Sequence, residues 1–318
     1  MRPSRILALV AAASLAAACT RGGASQSASS TPSASAPASA SESTPAEPSA
    51  AADACDPESL PTKTAGKLTI ATDNPAYPPY FLPRKGGNTQ PWDPSQGDPT
   101  TGEGFESAVA YAVAEQLGFT TDEVSWTVVP FNDAIAPGVK DFDFDINQVA
   151  FTPERAKAVD LTDGYYFGNQ SVVVNKGGKF EKVTTVSGLK DAKLGAQVGT
   201  TSLKAIEDVI KPTKDVQVYD TNDAAIQALR AKQIDGVMVD LPTAFYIVFV
   251  QTGEKTAVIG QLGPDTGATP EHFSLLLSKG SPLTPCVNQA VGALTADGTL
   301  ASLADKWLSD KNVPELKP

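Results

Sequence analysis

Arg155 stands in the run DFDFDINQVAFTPERAKAVDLTDGYY, Asp141 to Tyr166, where Thr152 reads as the cap of a helix and Pro153 as its first residue. A guanidinium held in the first turn of a helix can present two parallel N–H groups to a carboxylate. The plainer alternative is a surface charge paired with Glu154 or Asp160. Gly199-Thr200-Thr201 opens a second helix, and the free amides of a helix start are a ready place for an anion. His272 is the one histidine and falls in none of these runs, and no CxxC spacing occurs. A histidine-based triad and a structural zinc site are therefore disfavoured, and no cofactor or metal is implied.

The cysteines carry different chemistry. Arg2 and Arg5 precede an apolar run from Ile6 to Ala18 that is shorter than the roughly 20 residues of a membrane span, so residues 1–18 read as a signal peptide. Ala16-Ala17-Ala18-Cys19 resembles a lipobox, with Cys19 as the lipidated residue and Leu15 one place from its usual position. An ordinary leader with a chance cysteine is the alternative. Residues 19–54 are Ser-, Ala- and Pro-rich, and from Thr20 to Ala52 hold no aromatic and no Val, Ile or Leu. Such a stretch cannot offset its own ordering entropy, so it reads as a disordered tether. Cys55 and Cys286 then remain as a pair in an oxidising compartment and are expected to form a disulfide, with two buried thiols as the alternative. The net charge is −11, and more negative still once Arg2 and Arg5 leave with the leader. Nucleic acid and electrostatic attachment to anionic lipid are poor partners for such a chain.

These residues need a frame. From about Cys55 onward, strand-like runs (KLTIATD, VSWTVVPF, FDFDINQVAF, SVVVNK, KLGAQVG, VQVYD, IDGVMVD, HFSLLLSK) alternate with helical ones such as GFESAVAYAVAEQLG and NDAAIQALRAKQ. That rhythm predicts an α/β fold with parallel sheets flanked by helices.

Six runs in order, ATDNPAYPPY (71–80), GFE (104–106), FTPERAKAVDLTDGYY (151–166), GAQVGTTSL (195–203), IDGVMVD (234–240) and DGTLASLADKW (297–307), resemble the family 3 extracellular solute-binding proteins, the polar amino-acid receptors of ABC importers. The resemblance covers nearly all of Gly66 to Leu308. It implies a two-lobed periplasmic-binding-protein fold (type II), with lobe 1 at 56–168 plus 266–318, lobe 2 at 169–265, and two crossover strands that act as a hinge. It implies a monomeric, non-enzymatic receptor, lipid-anchored outside the membrane, that hands an amino acid to ABC permease subunits. By the same resemblance Arg155 holds the ligand α-carboxylate, helped by the amides and hydroxyls of Thr200 and Thr201. Asp240 pairs with the α-ammonium, its plainer role being a helix cap. Tyr77 lies over the ligand, a core aromatic beside prolines being the plainer role; Asp73 touches the ligand's side chain or only shapes the turn, and Phe131 and Asn132 form a second pocket wall.

Some positions depart from the family pattern. Gln148 and Ala150 stand where Gly or Ser and then Thr or Ser are usual, which leaves the Ala150 amide as a donor and lets Gln148 either replace the lost hydroxyl contact or fill the pocket. A Gly/Pro-rich insertion with Trp92 separates Pro83 from Gly104. A dehydratase-like enzyme on the same scaffold, or a sensor that presents ligand to a partner, are the other functions such a chain could carry.

Overall fold

The computed structural model describes residues 55–308 and 313–318. The leader, Cys19 and the tether through residue 54 lie outside the described residues. In chain order the elements are β1 (Leu68–Thr72), α1 (Phe105–Gln116), β2 (Val124–Val128), α2 (Phe131–Ile135), β3 (Phe144–Asp145), α3 (Arg155–Ala158), β4 (Val159–Leu161) and β5 (Tyr166–Gly168). Next come β6 (Gln170–Asn175), β7 (Leu194–Gln197), α4 (Thr201–Ala205), β8 (Gln217–Tyr219), α5 (Asn222–Arg230), β9 (Gly236–Asp240), α6 (Leu241–Tyr246) and β10 (Thr256–Gln261). The chain then returns through β11 (Glu271–Phe273), β12 (Leu276–Ser278), α7 (Thr284–Ala296) and α8 (Thr299–Trp307).

Two five-stranded sheets result, ordered β2-β1-β3-β12-β4 and β10-β6-β9-β7-β8. Three neighbouring strands run parallel in each sheet: β1 with β2 and β3, and β7 with β8 and β9. The remaining pairings are antiparallel, so the sheets are more mixed than the βα rhythm predicts. The antiparallel strands come from the crossovers. The chain leaves the first sheet after β4 through β5 and comes back from β10 through β11, and these two connectors form their own ladder, Glu271 opposite Gly168 and Phe273 opposite Tyr166. The lobes are thus joined by two crossover strands.

Both faces of each sheet are covered, and this explains the near-continuous apolar runs. In β6, Val172 and Val174 pack with Leu189, Ile206 and Ile210, while Val173 between them packs with Ile226, Leu229 and Ile247. In the first lobe Leu68, Ile70 and Phe144 meet α1 and α7 through Phe105, Val109 and Val291. The expected disulfide is present: Cys55 is bonded to Cys286 in the first turn of α7, with the Cα atoms 5.5 Å apart.

The C-terminal tail differs from the expected division, which assigned 266–318 to lobe 1. Leu316 is 2% exposed and sits in the second lobe's core with Val172 and Met238. The tail backbone follows that lobe, with Leu316 N donating to Gln261 O at 2.9 Å and Lys317 N to Thr184 O at 3.0 Å. Apolar burial at Leu316 overrides the chain's proximity to α8.

Helix α1 begins without a side-chain cap. The carbonyls of Pro79 and Tyr80 take the first amides instead, Pro79 from Phe105 at 3.0 Å and Tyr80 from Glu106 at 2.9 Å and Ser107 at 3.2 Å. Only glycine allows this approach: Gly104 has φ of 100°, and a Cβ there would lie 2.5 Å from Tyr80 O. Gly104→Ala is expected to destabilise the protein by about 2–4 kcal/mol, combining φ strain with a backbone clash. A urea midpoint equal to wild type would show that the loop can move aside.

The insertion is an ordered loop. Buried Asp98 accepts from Arg84 Nε at 3.0 Å, from the amides of Thr89 at 2.7 Å and Thr100 at 2.9 Å, and from Thr100 Oγ at 2.6 Å. Trp92, 1% exposed, is packed in the first lobe's core. Gln96 Oε1 accepts from the Tyr246 hydroxyl of α6 at 2.7 Å, so the loop reaches the second lobe.

A candidate ligand site between the lobes

A cavity of about 340 Å³ lies where the two lobes face each other. The first lobe contributes Asp73, Tyr77, Phe131, Asn132, Gln148 and Arg155 to its wall, and the second contributes Thr200, Thr201, Asp220, Asn222 and Asp240. Closed surface on both sides gives a site that neither lobe could form alone.

Arg155 is 9% exposed. Its Nη1 donates to Ala150 O at 2.6 Å, and its Nη2 crosses to the second lobe, donating to Gly199 O at 2.8 Å. The guanidinium lies over the Phe131 ring at 5.4 Å. Burial lowers its pKa. The neighbours that would have made it an ordinary surface charge are engaged elsewhere: Asp160 with Lys279 at 3.1 Å, and Glu154 with Lys204 at 3.8 Å. Among the described residues Arg155 has no ion pair. Thr152 does cap its turn, with Oγ1 accepting from Arg155 N at 3.1 Å, but the helix is only Arg155–Ala158 because Val159 joins the sheet at once.

Asp240 ends β9 and makes no capping bond to α6, so the plainer role predicted for it is not taken up. Its Oδ1 accepts from Gln170 Nε2 at 2.8 Å. Burial, then the nearby Glu271 charge, push its carboxyl up to about 7. Thr200 caps α4, accepting from Leu203 N at 3.1 Å and donating to Gln197 O at 2.7 Å. The Thr201 hydroxyl donates to Glu271 Oε2 at 2.8 Å. That proton is therefore directed away from any carboxylate in the cavity, and Thr201 offers an anion its amide.

The remaining predicted residues divide by role. Tyr77 lines the cavity and donates from its hydroxyl to Asp223 Oδ2 of α5 at 2.8 Å, linking the lobes. Both Asp73 oxygens are taken by amides, Asn74 at 2.7 Å and Phe131 at 3.1 Å, so this carboxylate holds the turn and aims Phe131. Ala150 does not line the cavity; it is buried behind the wall and supplies its carbonyl to Arg155.

Gln148 has φ of 48°, a conformation that favours glycine. It is held there by Glu106 of the GFE run, whose carboxylate accepts from the Gln148 amide at 2.8 Å, from the Gln148 side chain and from the Tyr165 hydroxyl. Glu106 is fully buried, and desolvation raises its pKa to about 7. Sequence reasoning missed this support and also missed Gln170 and Glu271. Glu271 precedes the apolar HFSLLLSK run and carried no motif; a lone acid at the start of an otherwise apolar crossover was the only signal.

Residues 68–310 match the bacterial extracellular solute-binding proteins, family 3. The chain belongs to this family. The L-cystine-binding protein TcyJ of Escherichia coli (strain K12) is 29% identical to this family 3 protein over 247 residues, 77% of this chain and 84% of that one. ABC transporter arginine-binding protein 1 of the same organism is 31% identical over 211 residues, covering 64% of this chain and 81% of its own. Among solved structures, an ancestral arginine-binding protein bound to arginine superposes with a TM-score of 0.61 at 26% identity, covering 77% of this chain and 99% of its own. The family 3 assignment covers both sheets and both crossovers.

Proposed function

We propose that this family 3 protein binds an amino acid in the interlobe cavity and delivers it to the permease of an ABC importer, working outside the membrane as a lipid-anchored monomer. The observation that carries the reading is the pairing of Arg155, a buried cation without an ion pair among the described residues, with Asp240 in the wall of the same cavity. An α-carboxylate would take the guanidinium and the α4 amides, and an α-ammonium would take Asp240. These relatives support the ligand class, since their names give cystine and arginine as what they bind. Amide-bearing side chains around the cavity, Asn74, Asn132, Asn147, Gln197 and Asn222, suit a polar ligand side chain. The anchor rests on Cys19 behind its apolar leader, and a dehydratase-like role has less support, because His272 stacks on Phe151 at 5.3 Å and does not line the cavity.

Calorimetric titration of the purified protein, stripped of ligand, with L-arginine, L-cystine, L-glutamine and the other standard amino acids tests this. A Kd of about 1 μM or tighter, near −8 kcal/mol, is expected for at least one. Failure of all of them would remove the amino-acid reading.

A further inference from the structure

The geometry points to Glu271 as a positioning residue for the ammonium end of this cavity, joined to Asp240 through Gln170 as one half of a carboxylate pair of which one member stays protonated until ligand arrives. The inference rests on the ammonium reading of Asp240. Glu271 lies on β11, the crossover by which the chain returns to the first lobe and where its backbone pairs with Gly168, yet its side-chain hydrogen bonds go to the second lobe. Its Oε2 takes the Thr201 hydroxyl proton at 2.8 Å and one hydrogen of Gln170 Nε2 at 3.0 Å. The same nitrogen lies 2.8 Å from Asp240 Oδ1. One side-chain amide thus joins two carboxylates, and Gln170 is itself only 4% exposed.

Two consequences follow from this wiring. Thr201 Oγ1, having given its proton to Glu271, also lies 3.4 Å from the Gln170 Nε2 donor, so Asp240 is the acceptor that this end offers to a donor such as an ammonium. Two carboxylates bridged by one neutral amide also repel each other in a poorly solvated place. Arg155 is the nearby cation and is bonded to backbone carbonyls, with no direct ion pair to either acid among the described residues. The pair therefore keeps one proton in the empty cavity. When an ammonium binds, it supplies the positive charge, the carboxyl O–H ionises and the proton passes to buffer base.

The surroundings agree. Burial raises both acids, and the Glu271 charge further raises Asp240. The other titratable groups facing the pair are Arg155 from α3, Tyr80 ahead of α1, and Glu154, Lys204 and Asp208 around a neighbouring cavity of about 260 Å³ that Glu271 and Gln170 also line. Lys204 is paired with Glu154, which leaves Arg155 as the cation acting on the acids.

The test compares the wild-type protein with Glu271→Gln, which keeps the size and the acceptor for Thr201 but removes the charge. First, the Asp240 carboxyl is followed by carbon NMR through a pH titration without ligand. Its midpoint is expected to fall by about one unit or more in the variant, because a neighbouring negative charge has been removed. Second, L-arginine, L-cystine and L-glutamine are titrated calorimetrically near pH 6.5 in buffers of different ionisation enthalpy. Wild type is expected to release roughly 0.5–1 proton per ligand bound and to bind more tightly as pH rises from 5 to 8, while the variant releases almost none and has a flatter profile. An unchanged Asp240 midpoint overturns the inference whatever binds, as does ligand binding with equal proton release in both proteins. A shifted midpoint with no amino acid bound by the wild type would keep the carboxylate pair and discard the amino-acid reading.

Discussion

Arg155→Ala is expected to abolish amino-acid binding while leaving the protein folded. The guanidinium is the only cation in the cavity wall among the described residues and is itself 9% exposed. Removing one member of a buried charged contact costs about 2–5 kcal/mol, roughly 30-fold to several thousand-fold in Kd. The variant also leaves Ala150 O and Gly199 O without their donors, the second of these in the opposite lobe. That loss weakens the approach of the lobes and adds to the binding defect. The fold should tolerate it, because the residue is not part of any hydrophobic core and its one-turn helix retains the Thr152 cap. Arg155→Lys keeps a charge but cannot span two carbonyls and a carboxylate in one plane, so it should recover only part of the affinity. Calorimetry together with a melting curve checks both variants; a folded alanine variant with wild-type affinity would remove Arg155 from the site.

The fold was readable in the sequence where local pattern and burial agree. Runs such as SVVVNK and IDGVMVD are apolar on both faces because both faces of the sheet are covered, and they became β6 and β9. FDFDINQVAF predicted a longer strand than the two residues of β3. Its second half leaves the sheet to carry Asn147 and Gln148 into the cavity wall, with Gln148 in a left-handed conformation that Glu106 supports from 42 residues away. Sequence distance hid that bond. Arg155, Asp240 and Thr201 were singled out by the family resemblance, and each sits at the end of a regular element in the cavity wall. Glu271 was not, because its importance arises only when the return crossover brings it beside Gln170 and Thr201. Thr201 shows the same limit in reverse: it lines the cavity as expected, but the direction of its hydroxyl proton depends on a partner 70 residues later. The tail at Leu316 was misplaced because a few residues after a helix give no periodicity from which to read a partner.

Breaking the disulfide is expected to have the largest effect on stability. Cys55 and Cys286 are 231 residues apart, and both pack on the first lobe's core. That lobe is discontinuous: β1 to β4 come before the second lobe in sequence, and β12, α7 and α8 come after it. The bond therefore ties the start of the lobe to its late helices across a loop that contains the whole second sheet. In the chain-entropy account, closing so long a loop restricts the unfolded chain by an amount worth about 5 kcal/mol. For a domain of this size such a loss corresponds to a fall in Tm of roughly 10–20 °C. Cys286→Ser and Cys55→Ser should behave alike, and the double variant should be no worse than either, because each single change already removes the one bond. The second lobe has cores of its own, built around Val172, Leu194 and Val237, and should keep its melting behaviour. Scanning calorimetry would then show an early transition from the first lobe separating from a later one. Ligand affinity at 25 °C should be nearly unchanged, since neither cysteine lines the cavity. Reducing agent added to the wild type should reproduce the shift. A melting curve unaffected by reduction or by either substitution would mean that the apolar packing around α7 holds the two ends of the lobe together without the bond.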